Sequence, residues 1–206
     1  MARSNYDQAL EQAQRLFLTY DQQPIAEKLR LQQDGDFLFL PFFGRLYRVC
    51  RSTGLVQWLD EAGQAHNAGF NDGMAVYDVL CWSKPGCRAA GQFAPINSVA
   101  RSFHSSGLGE SLFDKRAEVF ARHPDRLEQI CIGLGGVKEG RGDVAYRLEL
   151  FPFLSIRLQL WLADEDFPAS IQLLWDTNTL DFLHYETTYY IAGHIFSLLR
   201  KQMEQA

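Results

Sequence analysis

The run GDVAYRLELFPFLSIRLQLWLADEDFPASIQLLWD (142–176) decides the fold. Val144, Tyr146, Leu148 and Leu150 fall on one side of an extended chain, with Ala145, Arg147 and Glu149 on the other. Ile156, Leu158, Leu160 and Leu162 repeat this against Arg157, Gln159 and Trp161, and Ile171 to Trp175 supplies a return strand. Apolar residues at a period of two mark strands with one buried face. The acidic stretch Asp164 to Pro168 separates the last two runs, so they form a hairpin bent at that corner.

Outside this block the period changes. Tyr6, Ala9, Leu10, Ala13, Leu16, Phe17 and Tyr20 recur at helical spacing, which predicts a helix over 4–20 with Ser4 as N-cap. Pro24 opens a short second helix carrying Ile25 and Leu29. DFLFLPFFGRLYRVCRSTGLVQWLD (36–60) returns to a period of two and predicts two or three short antiparallel strands, with Pro41 at an edge or a strand end because it cannot donate to a ladder. EAGQAHNAG (61–69) reads as a loop, followed by a helix holding Phe70, Met74, Tyr77, Leu80 and Cys81 and capped by Asn71 or Asp72. SKPGCRAAGQFAP (83–95) breaks the pattern. Residues 96–134 are helical in two or three pieces: one carries Leu112, Phe113, Ala117 and Phe120, and another runs from Pro124 to the Gly135-Gly136 stop. A last helix spans about 186–203, with Tyr190, Ile191, His194, Ile195, Leu198 and Leu199 on one stripe. Strand clusters around a helical middle, without regular β-α alternation, predict one α+β domain: a twisted, mainly antiparallel sheet built from both strand groups and flanked by helices.

At 206 residues the chain can bury a sizeable core, and its 47% hydrophobic and 22% charged residues are globular rather than disordered composition. A net charge of −5 and scattered basic residues argue against nucleic acid and anionic lipid as partners. The polar N-terminus lacks a signal-peptide apolar core, and no apolar run reaches membrane-spanning length, which predicts a cytoplasmic protein. Cys50, Cys81, Cys87 and Cys131 contain no C-x-x-C, consistent with reduced thiols.

Chemistry has few places to reside. Asp164, Glu165 and Asp166 with Phe167 sit at a hairpin tip, where solvated acids guard a strand edge and contact a partner rather than catalyse. At about 3.3 Å per residue, Asp176 lies on the order of 20 Å away at the opposite end, so one ion cannot bridge them. That opposite end is richer: Asp176, Asn178, Asp181, His184 and Glu186 fall within one connecting segment. They suit a metal site or an acid–base pair, and equally turn formation and helix capping. His194 on its apolar stripe reads as a core histidine. There is no G-x-S-x-G elbow, and the spacing of Cys81 and Cys87 across a Pro-Gly turn suits neither a redox nor a zinc pair. GLGGVKEGRG (133–142) follows a helix, whereas phosphate loops precede one, so it reads as a helix stop and connection.

Several of these motifs together resemble an uncharacterised prokaryotic family, domain of unknown function 3786. The resemblance is carried by Phe151-Pro152, Trp161, the Asp164 to Pro168 turn, Leu174-Trp175-Asp176 and Leu183-His184-Tyr185-Glu186. It is specific over about 142–194; the 70–82 helix and Gly91-Gln92-Phe93 fit more weakly, and Trp175 stands where the family usually has Phe. The resemblance implies relatives joined to iron–sulfur domains in anaerobic one-carbon and corrinoid chemistry. This chain has no ferredoxin-type cysteine run to hold such a cluster itself.

The resulting expectation is a ligand- or protein-binding accessory module. Its cleft is lined by Trp161, Trp175 and Tyr185, with Asp176, His184 and Glu186 as polar contacts. The rival expectation is a metal-dependent, hydrolase-like enzyme using Asp176, His184 and Glu186; a third is a structural protein that self-associates. The cofactor and the identity of the small-molecule or protein partner stay open.

Overall fold

The computed structural model describes residues 4–100 and 116–205. The chain is α+β with antiparallel pairing throughout. Among the described residues the strands form two five-stranded sheets, one from each strand group, rather than the single sheet that the sequence pattern predicts. The described residues gather into two compact units, one holding residues up to Arg88 with Leu180–His194, the other Ala89–Thr179 with the residues from Ile195 onward.

In the first unit, α1 (Asn5–Phe17) begins at Ser4, whose hydroxyl accepts from the Asp7 amide while the Asp7 carboxylate answers the Ser4 amide. That reciprocal capping box satisfies two otherwise orphan donors. The second helix, α2 (Gln22–Leu29), starts before Pro24 because Asp21 accepts from the Gln23 amide. The sheet is a meander of β1 (Gln32–Gln33), β2 (Phe37–Phe42), β3 (Arg45–Cys50), β4 (Val56–Leu59) and β5 (Ala65–Asn67). Phe43 and Gly44, both at positive φ, join β2 to β3 with Phe42 opposite Arg45. This is the two-residue turn whose twist matches a hairpin, and a buried ring at Phe43 offsets the backbone strain. β1 pairs only as far as Phe39, so β2 has an open flank at Pro41, as its missing donor requires. Leu38, Leu40, Phe42, Tyr47, Val49 and Val56 point inward.

The third helix, α3 (Phe70–Trp82), is N-capped by Gly69 without a side-chain bond, not by Asn71 or Asp72. Asp72 is buried and accepts a hydrogen bond from the Tyr47 hydroxyl at 2.9 Å. His194 completes this buried group, its Nε2 3.2 Å from the same hydroxyl and its ring stacked on Phe42. It is a satisfied core histidine.

The second unit holds β6 (Phe93–Ala94), β7 (Val137–Lys138), β8 (Val144–Phe151), β9 (Leu154–Trp161) and β10 (Ser170–Asp176), ordered β6-β10-β9-β8-β7. Ser170 pairs with Trp161 and Trp175 with Ile156, which is the expected hairpin. The alternating leucines, isoleucines and valines of β8 and β9 are buried, as their period demands. Gly142 enters β8 at φ 123°, where a Cβ would lie 2.7 Å from the Leu160 carbonyl oxygen, so glycine alone fits. Its helices among the described residues are α4 (Ile96–Val99), α5 (116–121), α6 (Pro124–Gly133) and the second half of α7 (Tyr185–Glu204). The expected helical positions Leu112 and Phe113 lie outside the described residues. Among the described residues, no helix is long and apolar enough to cross a membrane.

Candidate functional site

The α3 residues Met74, Tyr77, Asp78, Cys81 and Trp82 recur every three to four positions and therefore share one helix face. With Ala13 and Leu16 of α1, Tyr20 beyond it, and Glu186, Thr187 and Tyr190 of α7, they line a pocket of about 300 Å³ within the first unit. Most of this wall is aromatic or aliphatic. Its polar focus is His184, the residue just before α7.

Asp78 grips His184 twice. Its Oδ2 accepts the His184 backbone amide at 2.8 Å, and its Oδ1 lies 2.6 Å from His184 Nδ1. An ionised carboxylate only accepts, so Nδ1 carries a proton, and in the neutral imidazole Nε2 is then the acceptor. The Asp78 side chain is 13% exposed and that of His184 45%, so the dyad has a sheltered acid and an accessible ring. Trp82 packs against the ring in a tilted contact, with centroids 3.7 Å apart at 30°. Lys84 donates to Asp181 at 2.7 Å, and its backbone amide donates to the Asp181 carbonyl, which ties the end of α3 to the segment that presents His184. Burial pushes the Cys81 thiol up to about 11, so that side chain is a protonated wall rather than a thiolate.

The other expected site residues have different surroundings. Asp176 is buried in the second unit, where its carboxylate accepts from the Ala90, Gly91 and Asn178 amides at 2.7–2.9 Å. Trp175 is buried in β10, and Trp161 is half-buried at the end of β9. The Tyr185 hydroxyl meets that of Tyr189 at 2.8 Å. Of the six expected ligand contacts, His184 and Glu186 line the pocket. Among the described residues, no three His, Cys, Asp or Glu side chains gather as a metal-ligating group. At the hairpin tip, Asp164 Oδ1 accepts from the Asp166 and Phe167 amides at 2.9 and 2.8 Å, while Glu165, Asp166 and Phe167 stand exposed.

A family model described as Domain of unknown function (DUF3786) matches residues 21–197. The chain belongs to this family. No curated protein and no solved structure is significantly similar to it. The DUF3786 match takes in Asp78, Trp82, His184 and Glu186, whereas α1, which supplies Ala13 and Leu16 to the pocket wall, precedes it. The sequence expectation for this DUF3786 protein holds neither Trp82 nor Asp78, and Asp78 is the one that orients His184. The signal for Asp78 was a lone carboxylate on the otherwise apolar stripe of Met74, Tyr77 and Cys81.

Proposed function

We propose that this protein is a cytosolic small-molecule-binding module whose site is the pocket between α1, α3 and the start of α7. The observation that carries this reading is an oriented Asp78–His184 pair in the wall of an otherwise apolar pocket of about 300 Å³. Such a pocket, with few convergent polar groups, suits a ring-sized ligand that buries its apolar body and offers a hydrogen bond to Nε2. Trp82 and Tyr190 supply ring faces, and Glu186 adds an acceptor at the margin.

This site keeps His184 and Glu186 from the sequence expectation and adds Asp78 and Trp82. A link to one-carbon or corrinoid metabolism has only the family resemblance behind it. The acidic tip is proposed as a separate partner contact, because Phe167 there is 70% exposed.

Titration of isotopically labelled protein with benzimidazole tests the pocket. The Trp82 indole N–H resonance should shift while those of Trp58, Trp161 and Trp175 stay put, and Met74→Trp should abolish the response by filling the site. Shifts confined to the other three tryptophans, or none at millimolar ligand, would defeat the reading.

A further inference from the structure

We infer that His184 is a general base, and that the pocket abstracts a proton from a small, largely apolar substrate bearing an acidified C–H or O–H. This rests on the pocket reading above and goes beyond binding to a reaction class.

Three features build a base rather than a plain contact. First, Asp78 fixes the tautomer: Nδ1–H points at Oδ1, and Nε2 has no partner among the described residues. A carboxylate behind an imidazole also stabilises the imidazolium that proton uptake creates. Second, the ring cannot swing freely, since its backbone amide is held by the same carboxylate and its face lies against Trp82. Orientation of this kind removes entropy before the reaction rather than during it. Third, Ala13, Leu16, Met74 and Tyr77 give the pocket apolar walls against which the body of a largely apolar substrate can lie beside the accessible ring. Helix capping alone would need only the bond to the His184 amide. The second bond, to Nδ1, is surplus to capping and acts on the ring.

Nucleophilic catalysis by Cys81 has no comparable support. Its thiol is held protonated by burial, with the Asp78 charge pushing the same way. His184 itself is the reactive group, and Asp78 is a positioning residue.

The test uses the full chain and 5-nitrobenzisoxazole, an apolar aromatic with one acidified ring C–H. Base attack moves that proton to Nε2, and the C–H electron pair becomes the third bond of a nitrile. The N–O bond breaks, its pair leaves on oxygen, and the 2-cyano-4-nitrophenolate formed is read by its absorbance. The imidazolium then returns its proton to water, and no oxidant or reductant is required.

Wild-type protein should give saturable turnover. His184→Ala should lower kcat about a hundredfold or more, the range usual for a positioned base, and added imidazole should restore part of it. Asp78→Asn should lower kcat about tenfold with KM within about twofold, because the lost interaction belongs to the transition state. If His184→Ala fails to fold, judged by its circular dichroism melt, His184→Gln replaces it. The unreactive 5-nitroindazole reads binding separately through the Trp82 resonance. Binding without turnover, or turnover indifferent to His184, overturns the base and leaves the pocket standing. Absence of both overturns both.

Discussion

Asp176 and His184 lie in one short connecting segment and read alike in sequence, yet they hold opposite jobs. Asp176 is 1% exposed and saturated by three backbone amides, so its charge organises the chain around Ala90 and Gly91. Asp176→Ala orphans those donors in a buried setting and should cost about 3–5 kcal/mol, measured by urea unfolding. Cys50 offers a second test. Hydrogen bonds from the Ser52 hydroxyl, then from that of Thr53, lower its thiol to about 7, whereas burial raises Cys131 to about 12. The thiolate is the nucleophile, so iodoacetamide should modify Cys50 first, at a rate climbing through neutral pH. Cys50→Ser should erase the fast phase and Ser52→Ala should slow it, while Cys131 should react only after unfolding.

The β9–β10 hairpin turns through one side chain. Asp164 accepts from two amides, and its own amide donates to the Phe167 carbonyl at 3.0 Å; Glu165 holds no such place. Asp164→Ala should therefore destabilise the protein by about 1 kcal/mol or less, and Glu165→Ala should leave the melting temperature unchanged. At α1, Ser4→Ala removes the capping hydroxyl and should cost about 1 kcal/mol by the same measurement. Strong periodicity made the long elements legible: β8, β9, β10, α1, α3 and α7 all lie within a few residues of their predicted spans. The strands β1, β5, β6 and β7, of two or three residues, were not legible. So short a strand has no period to read and exists because a longer neighbour pairs with it, as Ala94 does with Trp175.

At the scale of the whole molecule, two thiols, that of buried Cys131 and that of half-buried Cys81, hold their proton more tightly folded than unfolded. Burial raises Cys81 to about 11 and Cys131 to about 12, against an ordinary value of 9.0. In that window the folded chain binds more protons than the unfolded chain, so stability falls as pH rises. The contribution is complete below about pH 9 and is lost on the way to about 11 and 12. Urea midpoints should decline across that range, and the double variant Cys81→Ala, Cys131→Ala should show a shallower decline. An unchanged slope would place the alkaline sensitivity elsewhere, with Tyr47 and Tyr77, both also raised by burial, the next groups to test.

Alternation and helical spacing determined the α+β class, the hairpin and its acidic corner, and the core role of His194, because each depends on which face of one element sheds water. The separation of the strands into two sheets and the meeting of Asp78 with His184 were decided in three dimensions. The two partners are far apart along the chain, and no local pattern encodes which carboxylate on an apolar helix face will meet which imidazole.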